Sequence, residues 1–460
     1  MHTRARSAFL GDLRIVLGSS GFRKLFATRL CSQAGDGIFN AGLASYVFFS
    51  ATTFPDPGAA AISFAVLYLP YSLIGPFAGV FIDRWSRRQI LLWSAVSRAA
   101  FVTLAAAFIA TGALGLPVWI SALVVLGVNR FFLSALSAAL PHVIEGDELV
   151  MANSVGPTSG TIVAFAGGIL GAGVHVATGG GQVGSAVTLL VGGLLYLSAG
   201  LAARAMPRSS LGPILGEGAQ QGSIGAELEN VAAGLVAGLA HVWGRKAARG
   251  ALVATSSHRF LYGILLLMSI LLYRNYFYPD TNGNTALAHF LPVVVSSAIG
   301  YGAAAWLTPL TARRMAHSTW ITALLFTGGV VTAVLGAGFT QTAFIVIGFA
   351  LGVVAQGIAI STTTILQQQV DDDYRGRVFS VNDMLYNTSF VLGAAVSAAF
   401  MPASGRSLTM LLVVGIGYVL ASAGYRLITG QPASPDSPER PVADEPPAVM
   451  PDSAAQRSSS

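Results

Sequence analysis

Charged side chains are scarce in this sequence. Lys, Arg, Asp and Glu make up 10% of the 460 residues, whereas hydrophobic residues make up 53%. Soluble domains carry about 25% charged residues, so a water-soluble fold of this length would have too little polar surface. The composition therefore indicates an integral membrane protein.

Cysteine is nearly absent too, since Cys31 is the only one in the chain. A single cysteine excludes an internal disulfide and a metal site built from cysteines. The pattern G-x-x-x-x-G-K-[ST] does not occur, which disfavours a pump driven by ATP. No metal-ligand cluster and no nucleophile constellation stands out. We therefore expect neither an enzyme nor a bound cofactor or metal, and no nucleic-acid partner.

Long hydrophobic runs are what the sequence has instead. About 20 apolar residues at ~1.5 Å each cross the ~30 Å hydrocarbon core of a bilayer. This length predicts an all-α integral membrane fold with twelve transmembrane helices. The predicted spans 1 to 12 are Arg29–Ser50, Ala59–Ile82, Ile90–Thr111, Pro117–Leu140, Ala152–Thr178, Ser185–Ala205, Phe260–Tyr278, Ala288–Leu310, Thr319–Gly338, Thr342–Gln367, Val378–Met401 and Leu408–Ile428.

Three polar segments flank these spans. Residues 1–28 are basic and mildly amphipathic, which favours a short helix on the inner membrane surface. Residues 207–258 form a central cytoplasmic loop, and Glu227–Arg249 within it has the pattern of a surface helix. Residues 429–460 are rich in Pro, Ser, Ala, Asp and Glu without an apolar period, so we expect a disordered cytoplasmic tail.

Basic residues are distributed unevenly between the two sides of the membrane. With the N-terminus in the cytoplasm, 22 of the 26 Lys and Arg residues fall on the cytoplasmic side. Arg274 and Arg406 fall on the other side, and Arg98 and Arg130 lie inside spans. The positive-inside rule then predicts a multi-pass protein of the cell membrane with both ends in the cytoplasm.

The loop between spans 2 and 3 crowds one carboxylate together with three guanidinium groups. Asp83 ends an apolar run, where Arg84, Arg87 or Arg88 can bond its carboxylate. With Gly79, these residues form the pattern G-x-x-x-D-R-x-x-R-R, which resembles the signature loop of the major facilitator superfamily. The resemblance implies two pseudo-symmetric six-helix bundles and a small-molecule substrate.

The same resemblance implies a cytoplasmic gate. In the superfamily the aspartate of the loop approaches the start of helix 11, where the helix dipole favours an anion. Asp383 either joins that charged cluster or caps the interface without a role in transport. The candidate gate residues are Gly79, Asp83, Arg84, Arg87, Arg88, Arg377 and Asp383.

A weak internal repeat accompanies the motif. Arg313 and Arg314 lie 226 residues after Arg87 and Arg88, in the loop between spans 8 and 9. Such a weak internal repeat is typical of a transporter built from two related halves. The sequence therefore predicts an N-terminal six-helix half at residues 29–206 and a C-terminal half at 259–428.

Span 1 carries polar residues on one face. Gln33, Asp36 and Asn40 follow i, i+3, i+7 spacing, and Asp36 is the only carboxylate deep within an apolar run. Exposing such a face to lipid costs several kcal/mol, so it faces a cavity or a partner helix. Asp36 is then either linked to protons or permanently paired with an arginine for assembly. Residues 29–37 resemble helix 1 of the macrolide-efflux-type branch of drug exporters, which favours the first interpretation.

Two arginines and a group of glycines complete the candidates. Arg130 resembles, by position, the arginine in helix 4 of proton-coupled drug antiporters, so we place it in the candidate cavity with Gln33, Asp36 and Asn40. Arg98 is expected to be a structural partner, because span 3 is peripheral in this fold. Close packing between the two halves is predicted for Gly167, Gly168, Gly171 and Gly173.

The leading functional interpretation is a monomeric secondary active exporter with alternating access. It would exchange protons for a small, hydrophobic or cationic molecule, with the lipid bilayer as its surroundings. Only the branch resemblance separates export from proton-coupled uptake by a symporter of the same fold. A non-transporting scaffold or receptor is a further alternative, which predicts that every buried charge is paired and that Asp36 tolerates Asn.

Overall fold

The computed structural model describes residues 18–49, 57–58, 61, 64–65, 68, 77, 85–112, 115–144, 148–207, 210–211, 224–279, 283–312 and 314–430. Regular structure within these ranges is entirely helical. The helices are α1 (Ser20–Phe49), α2 (Arg87–Ala110), α3 (Leu116–Ala139), α4 (Glu148–Ala177), α5 (Gly181–Arg204), α6 (Ile224–Trp243), α7 (Lys246–Leu271), α8 (Gly283–Ala312), α9 (His317–Gly336), α10 (Gln341–Gln369), α11 (Asp372–Phe400) and α12 (Leu408–Thr429). A 3₁₀ turn (Leu140–His142) continues α3, and a π-helical turn (Leu272–Phe277) continues α7. Predicted span 2 lies outside the described residues apart from a few isolated positions.

Nine helices in the described ranges are long and apolar enough to cross a membrane. Helices α1 and α11 have 30 and 29 residues, but charged groups such as Asp36 and Asp383 lower their hydropathy. Helix α6 overlaps the surface helix predicted at Glu227–Arg249 but ends at Trp243, and Arg249 belongs to α7. The all-α membrane-spanning fold predicted from the sequence is confirmed.

Helix α7 begins at Lys246, fourteen residues before the predicted start of span 7 at Phe260. The polar residues 255–259 hide this part of the helix from a hydropathy reading. Inside the bundle their polar atoms find partners, as when Thr255 Oγ1 lies 3.0 Å from Thr362 Oγ1. Arg259, which the sequence analysis counts among the cytoplasmic basic residues just before span 7, therefore lies within a membrane helix.

Glycines allow α1 and α4 to cross with their backbones in contact. A methyl group at Gly37 would overlap the carbonyl oxygen of Ala164, and one at Gly167 would overlap that of Ala34. Small residues at such crossings let membrane helices approach closely. The contact is reciprocal, because each helix supplies a glycine opposite a carbonyl of the other.

The same reciprocal crossing recurs in the second half of the chain. Gly263 of α7 faces the carbonyl oxygen of Phe390, and Gly393 of α11 faces that of Phe260. Each of these four residues lies 226 residues after its counterpart in the first crossing. This is the separation found between the two pairs of arginines, so one repeat length relates both features.

The sequence predicts that the glycines of α4 pack between the two halves, and the structure shows that this prediction is wrong. Gly167 and Gly171 face Ala34 and Ile38 of α1, and a methyl group at Gly173 would meet nothing within 4 Å. Their place is set by the crossing inside the N-terminal half, where the two backbones must touch.

Aromatic rings meet between the two halves instead. The ring centre of Phe165 in α4 lies 5.2 Å from that of Tyr301 in α8. Phe64 and Tyr68, two described positions of span 2, have ring centres 5.2 and 4.7 Å from that of Phe390 in α11. These contacts form two seams between the halves.

Candidate functional site

Arg98 of α2 is completely buried, with 0% of its surface exposed. Its Nη1 donates to Asp36 Oδ1 of α1 at 2.9 Å and to Asn129 Oδ1 of α3 at 2.6 Å. Its Nη2 donates to Ser32 Oγ at 2.5 Å. One guanidinium group thus joins three helices of the N-terminal half.

Two aromatic rings enclose the same guanidinium group. Arg98 Cζ lies 4.5 Å from the ring centre of Phe132 and 4.2 Å from that of Tyr196. A desolvated cation–π contact contributes on the order of 1–2 kcal/mol. Tyr196 also donates its hydroxyl hydrogen to Asp36 Oδ1 at 2.8 Å. The bonds, the rings and the Asp36 charge together offset the large cost of removing Arg98 from water.

Asp36 and Arg98 differ in their access to solvent. The Asp36 side chain keeps 16% of its surface exposed, against 0% for Arg98. Two donors, Arg98 and Tyr196, converge on Oδ1 of the carboxylate. Because charge-assisted hydrogen bonds stabilise the ionised carboxylate, protonation of Asp36 must weaken its hold on both partners.

The other polar residues on the face of α1 are placed differently. Gln33 is half-buried, and its Oε1 lies against the backbone of Gly160 in α4, where a methyl group would overlap it. Gln33 Oε1 accepts no hydrogen bond from any described residue. Asn40 is exposed, one helical turn beyond Asp36. Asp36 is therefore the member of this face that enters the polar cluster around Arg98.

Arg130 of α3 acts electrostatically on a residue of the other half. Its charge acts on the carboxylate of Asp383 in α11, which also interacts with Asn382. Within the described residues, Asp36 forms its salt bridge with Arg98. Asn129, which precedes Arg130 in the chain, accepts a hydrogen bond from the same guanidinium group. The structure thus links the candidate cavity residue Arg130 to the candidate gate residue Asp383.

The signature loop is described only from residue 85 onward, so Gly79, Asp83 and Arg84 lie outside the described residues. Arg87 Nη1 lies 3.2 Å from the imidazole nitrogens of His142 and donates to the carbonyl oxygen of Leu211 at 3.2 Å. Arg88 is buried and donates to the carbonyl oxygen of Arg204 at 2.9 Å. These bonds hold the start of α2 against the 3₁₀ turn after α3, the end of α5 and the segment that follows α5.

The surface helix α6 packs against the start of α11. Arg245, just after α6, donates to Asp371 Oδ2 at 2.8 Å, and the ring of His241 stacks on Tyr374 with centres 4.2 Å apart. Arg377, a predicted gate residue, lies 5.5 Å from the ring centre of Tyr374 and against Gly234 and Gly238 of α6. The start of α11 is therefore occupied by the central segment of the chain.

Burial lowers the pKa of His241 below its ordinary value of 6.5, and the positive charge of Arg245 lowers it further, while the negative charge of Asp371 acts in the opposite direction. His241 Nε2 lies 3.6 Å from Asp371 Oδ2. The histidine is therefore held neutral at physiological pH beside the Arg245–Asp371 salt bridge.

A second buried arginine lies in the C-terminal half. Arg259 of α7 is 8% exposed, and its Cζ lies 3.9 Å from the ring centre of Tyr386 and 4.5 Å from that of Phe390. Tyr262 lies farther away, at 5.8 Å. We call Tyr262, Tyr386 and Phe390 the aromatic cage of Arg259. Sequence reasoning missed this site, although the repeat length of 226 residues leads from Gln33 to Arg259.

An apolar cleft of about 130 Å³ begins at Tyr262 of this cage. Phe165 of the N-terminal half also reaches the cleft. Its remaining walls come from α7, α8 and α10, and they are Leu265, Leu266, Ser269, Phe290, Val293, Val294, Ser297, Phe344, Ile347, Gly348 and Leu351.

Comparison with protein families gives one match over most of the chain. The family described as the Major Facilitator Superfamily matches residues 25–394. Uncharacterized MFS-type transporters from Mycobacterium tuberculosis and Mycobacterium bovis are each 34% identical over 447 residues. That alignment covers 95% of this chain and 97% of each relative.

Solved structures with a similar fold include two transporters of different substrates. The nucleoside transporter NupG has a TM-score of 0.65 at 13% identity, covering 89% of this chain and 99% of NupG. A variant of the peptide transporter POT has a TM-score of 0.69 at 12% identity, covering 89% of this chain and 94% of its own. At such low identity these structures show a shared fold alone.

Proposed function

The chain belongs to the major facilitator superfamily of multi-pass membrane transporters, and from this premise we propose that it exports a small hydrophobic molecule by proton antiport. The observation that carries the proposal is the ion pair of Asp36 and Arg98 with its unequal exposure. In this proposal the protein lies in the cell membrane as a monomer with both ends in the cytoplasm, as the basic residues suggest.

Asp36 is the proposed proton carrier. When a proton neutralises its carboxylate, the bonds from Arg98 and Tyr196 lose their charge assistance. These two bonds hold α1 against α2 and α5, so their weakening loosens one side of the N-terminal half. Loss of the proton on the opposite side of the membrane restores them. The protonation state of Asp36 thereby biases a two-state equilibrium between inward-facing and outward-facing forms.

The driving force is sufficient for such a cycle. One proton crossing a potential of 100 mV releases about 2.3 kcal/mol. That energy corresponds to a concentration ratio of roughly 50 for an uncharged substrate, since about 1.4 kcal/mol is a factor of ten. The apolar cleft next to Tyr262 is the proposed place for the hydrophobic body of the substrate.

Everted membrane vesicles with an acidified lumen test the proposal. A transported hydrophobic compound added outside should release protons from the lumen, which a pH-sensitive dye records. Asp36→Asn should abolish this release, because the asparagine amide cannot carry the proton. Tyr196→Phe is the matched control, since it removes one hydrogen bond to Asp36 and keeps both the carboxylate and the ring over Arg98.

The outcomes separate the alternatives. Proton release that requires the compound inside the lumen would indicate an uptake symporter. An Asp36→Asn protein that folds normally and still exchanges protons would contradict the role of Asp36. If a broad panel of compounds releases no protons through well-folded wild-type protein, a scaffold or receptor explains the ion pair better.

A further inference from the structure

We propose that Arg259 binds an anionic group on the transported molecule, so that the substrate is an amphipathic anion. Its head would be a carboxylate or a similar group, and its body would be apolar or aromatic. The proposal rests on the transport function above and adds the chemical class of the substrate. It is carried by the charge balance, the aromatic cage and the position of Arg259 between the two halves.

Arg259 is in excess over the carboxylates described inside the membrane region. Asp36 is engaged by Arg98, and the carboxylate of Asp383 is under the charge of Arg130. Arg259 Nε donates to the carbonyl oxygen of Tyr386 at 3.3 Å. Across the described ranges no carboxylate lies within salt-bridge distance of its guanidinium group. A buried charge in this situation gains strongly from an anion that enters beside it.

The aromatic cage holds the guanidinium group without neutralising it. The faces of Tyr386 and Phe390 attract a cation through the negative potential above their rings. They leave the planar fork of the terminal nitrogens as the part of Arg259 suited to a carboxylate. The cage therefore positions the arginine, while the counter-charge has to come from another molecule.

Arg259 also lies where the two halves meet. Its charge acts on Tyr68 of span 2, and the ring of Tyr68 is 4.7 Å from that of Phe390. Tyr262 of the cage also lines the apolar cleft of about 130 Å³, as does Phe165 of the N-terminal half. A molecule with its anionic head at Arg259 could therefore place an apolar body in the cleft.

The repeat gives Arg259 a related position in the N-terminal half, and that position carries no charge. The residue 226 positions before Arg259 is Gln33, which is uncharged. Two pseudo-equivalent positions thus differ by one positive charge, so a bound anion has one orientation between the halves. A cationic substrate, which the sequence alone had left open, would be repelled by Arg259.

Binding of three naphthalene probes to purified protein in detergent tests the proposal. Naphthalene-2-carboxylate, naphthalene-2-carboxamide and 2-naphthylmethylammonium share one ring system and differ in the charge of the head. Wild-type protein should bind the carboxylate at least tenfold more tightly than the amide, and the ammonium probe most weakly. Arg259→Gln should bring the carboxylate and the amide within about twofold of each other.

Two further variants keep the test decisive. Arg259→Lys should retain part of the preference, since it keeps the charge but loses the planar fork. Arg406→Gln removes an exposed arginine that also stacks on rings, those of Tyr276 and Phe339, and should change nothing. Thermal unfolding of each variant establishes that it is folded.

The proposal is overturned if folded wild-type protein prefers the amide or the ammonium probe, or binds no probe. It is equally overturned if Arg259→Gln keeps the preference for the carboxylate. Equilibrium binding needs no proton gradient, so this result is independent of the antiport assay. Arg259-dependent binding without proton-coupled flux would refute the proposed function and leave the anion site standing.

Discussion

The Arg98 guanidinium and the Asp36 carboxylate lie 2.9 Å apart, yet the arginine is sealed from solvent while the aspartate is not. A proton from solvent can therefore reach Asp36, whereas side chains of α1, α3 and α5 enclose the guanidinium group of Arg98. Such a pair is compatible both with assembly and with the proton binding proposed for Asp36. The two interpretations of Asp36 that the sequence left open are thus not exclusive.

Breaking the pair from one side should be costly. We expect Arg98→Gln to lower the free energy of unfolding by about 3–5 kcal/mol, because it leaves the largely buried carboxylate of Asp36 without its ion-pair partner. The double variant Arg98→Gln with Asp36→Asn should recover part of this loss, since neither charge remains. Unfolding in detergent measures both, with the exposed Arg406→Gln as control. Additive losses in the double variant would contradict the coupling.

The reciprocal glycine crossings should not tolerate a single added methyl group. Gly37→Ala and Gly263→Ala should each lower the free energy of unfolding by about 1–3 kcal/mol, because the methyl group overlaps a backbone carbonyl. Gly173→Ala and Gly302→Ala are matched controls with nothing within 4 Å, and should be neutral or gain about 0.5–1 kcal/mol. Equal effects in both sets would argue against backbone contact at the crossings.

Asp83→Asn should insert in normal amounts and transport poorly, as the superfamily resemblance of its loop implies. Substitutions of the two neighbouring arginines should have different effects. Arg88 is buried and donates to the carbonyl oxygen of Arg204, whereas Arg87 contacts His142 and Leu211. Arg88→Gln should therefore reduce folded protein more than Arg87→Gln does. Membrane yield and vesicle transport are the two measurements, and normal transport by a well-expressed Asp83→Asn protein would sink the gate hypothesis.

The contact between α6 and α11 should weaken in acid. Because burial holds the pKa of His241 below 6.5, the unfolded chain takes up a proton that the folded histidine refuses. Stability should therefore be complete above about pH 6.5 and decline as the pH falls below it. His241→Phe keeps the ring stacked on Tyr374 and should flatten this part of the pH profile. If thermal unfolding of His241→Phe shows the same pH dependence as the wild-type protein, the loss of stability in acid comes from other groups.

Much of the architecture is visible in the sequence because the bilayer imposes it. Apolar runs of fixed length follow from the thickness of the hydrocarbon core, and a helix satisfies its own backbone polar groups within each run. The hydropathy pattern does not predict the start of α7, because residues 255–259 are polar. Their partners, such as Thr362, lie about 100 residues away in the chain. Hydropathy reports the residue and not its neighbours, so a polar helix turn inside a bundle resembles a loop.

The candidate site was visible in part for the same reason. A carboxylate at membrane depth stands out at Asp36, since that position is expensive for a charge. Its partner could not be chosen from the sequence, because Arg98 and Arg130 both lie inside spans and periodicity gives no distance between helices. Arg259 was concealed by the basic loop before it. Only the repeat length, applied to Gln33, would have pointed to it.

The glycine crossings also determine which parts of the transporter can slide. Backbones in contact at Gly37 and Gly263 fuse α1 to α4 and α7 to α11 into rigid pairs, since no side chain remains between them to change rotamer. Motion is left to the aromatic seams, where rings such as Phe165 and Tyr301 can roll across one another without breaking a hydrogen bond. Locking those rings together, for example with a pair of introduced cysteines, would freeze the protein in one state while both halves stay intact.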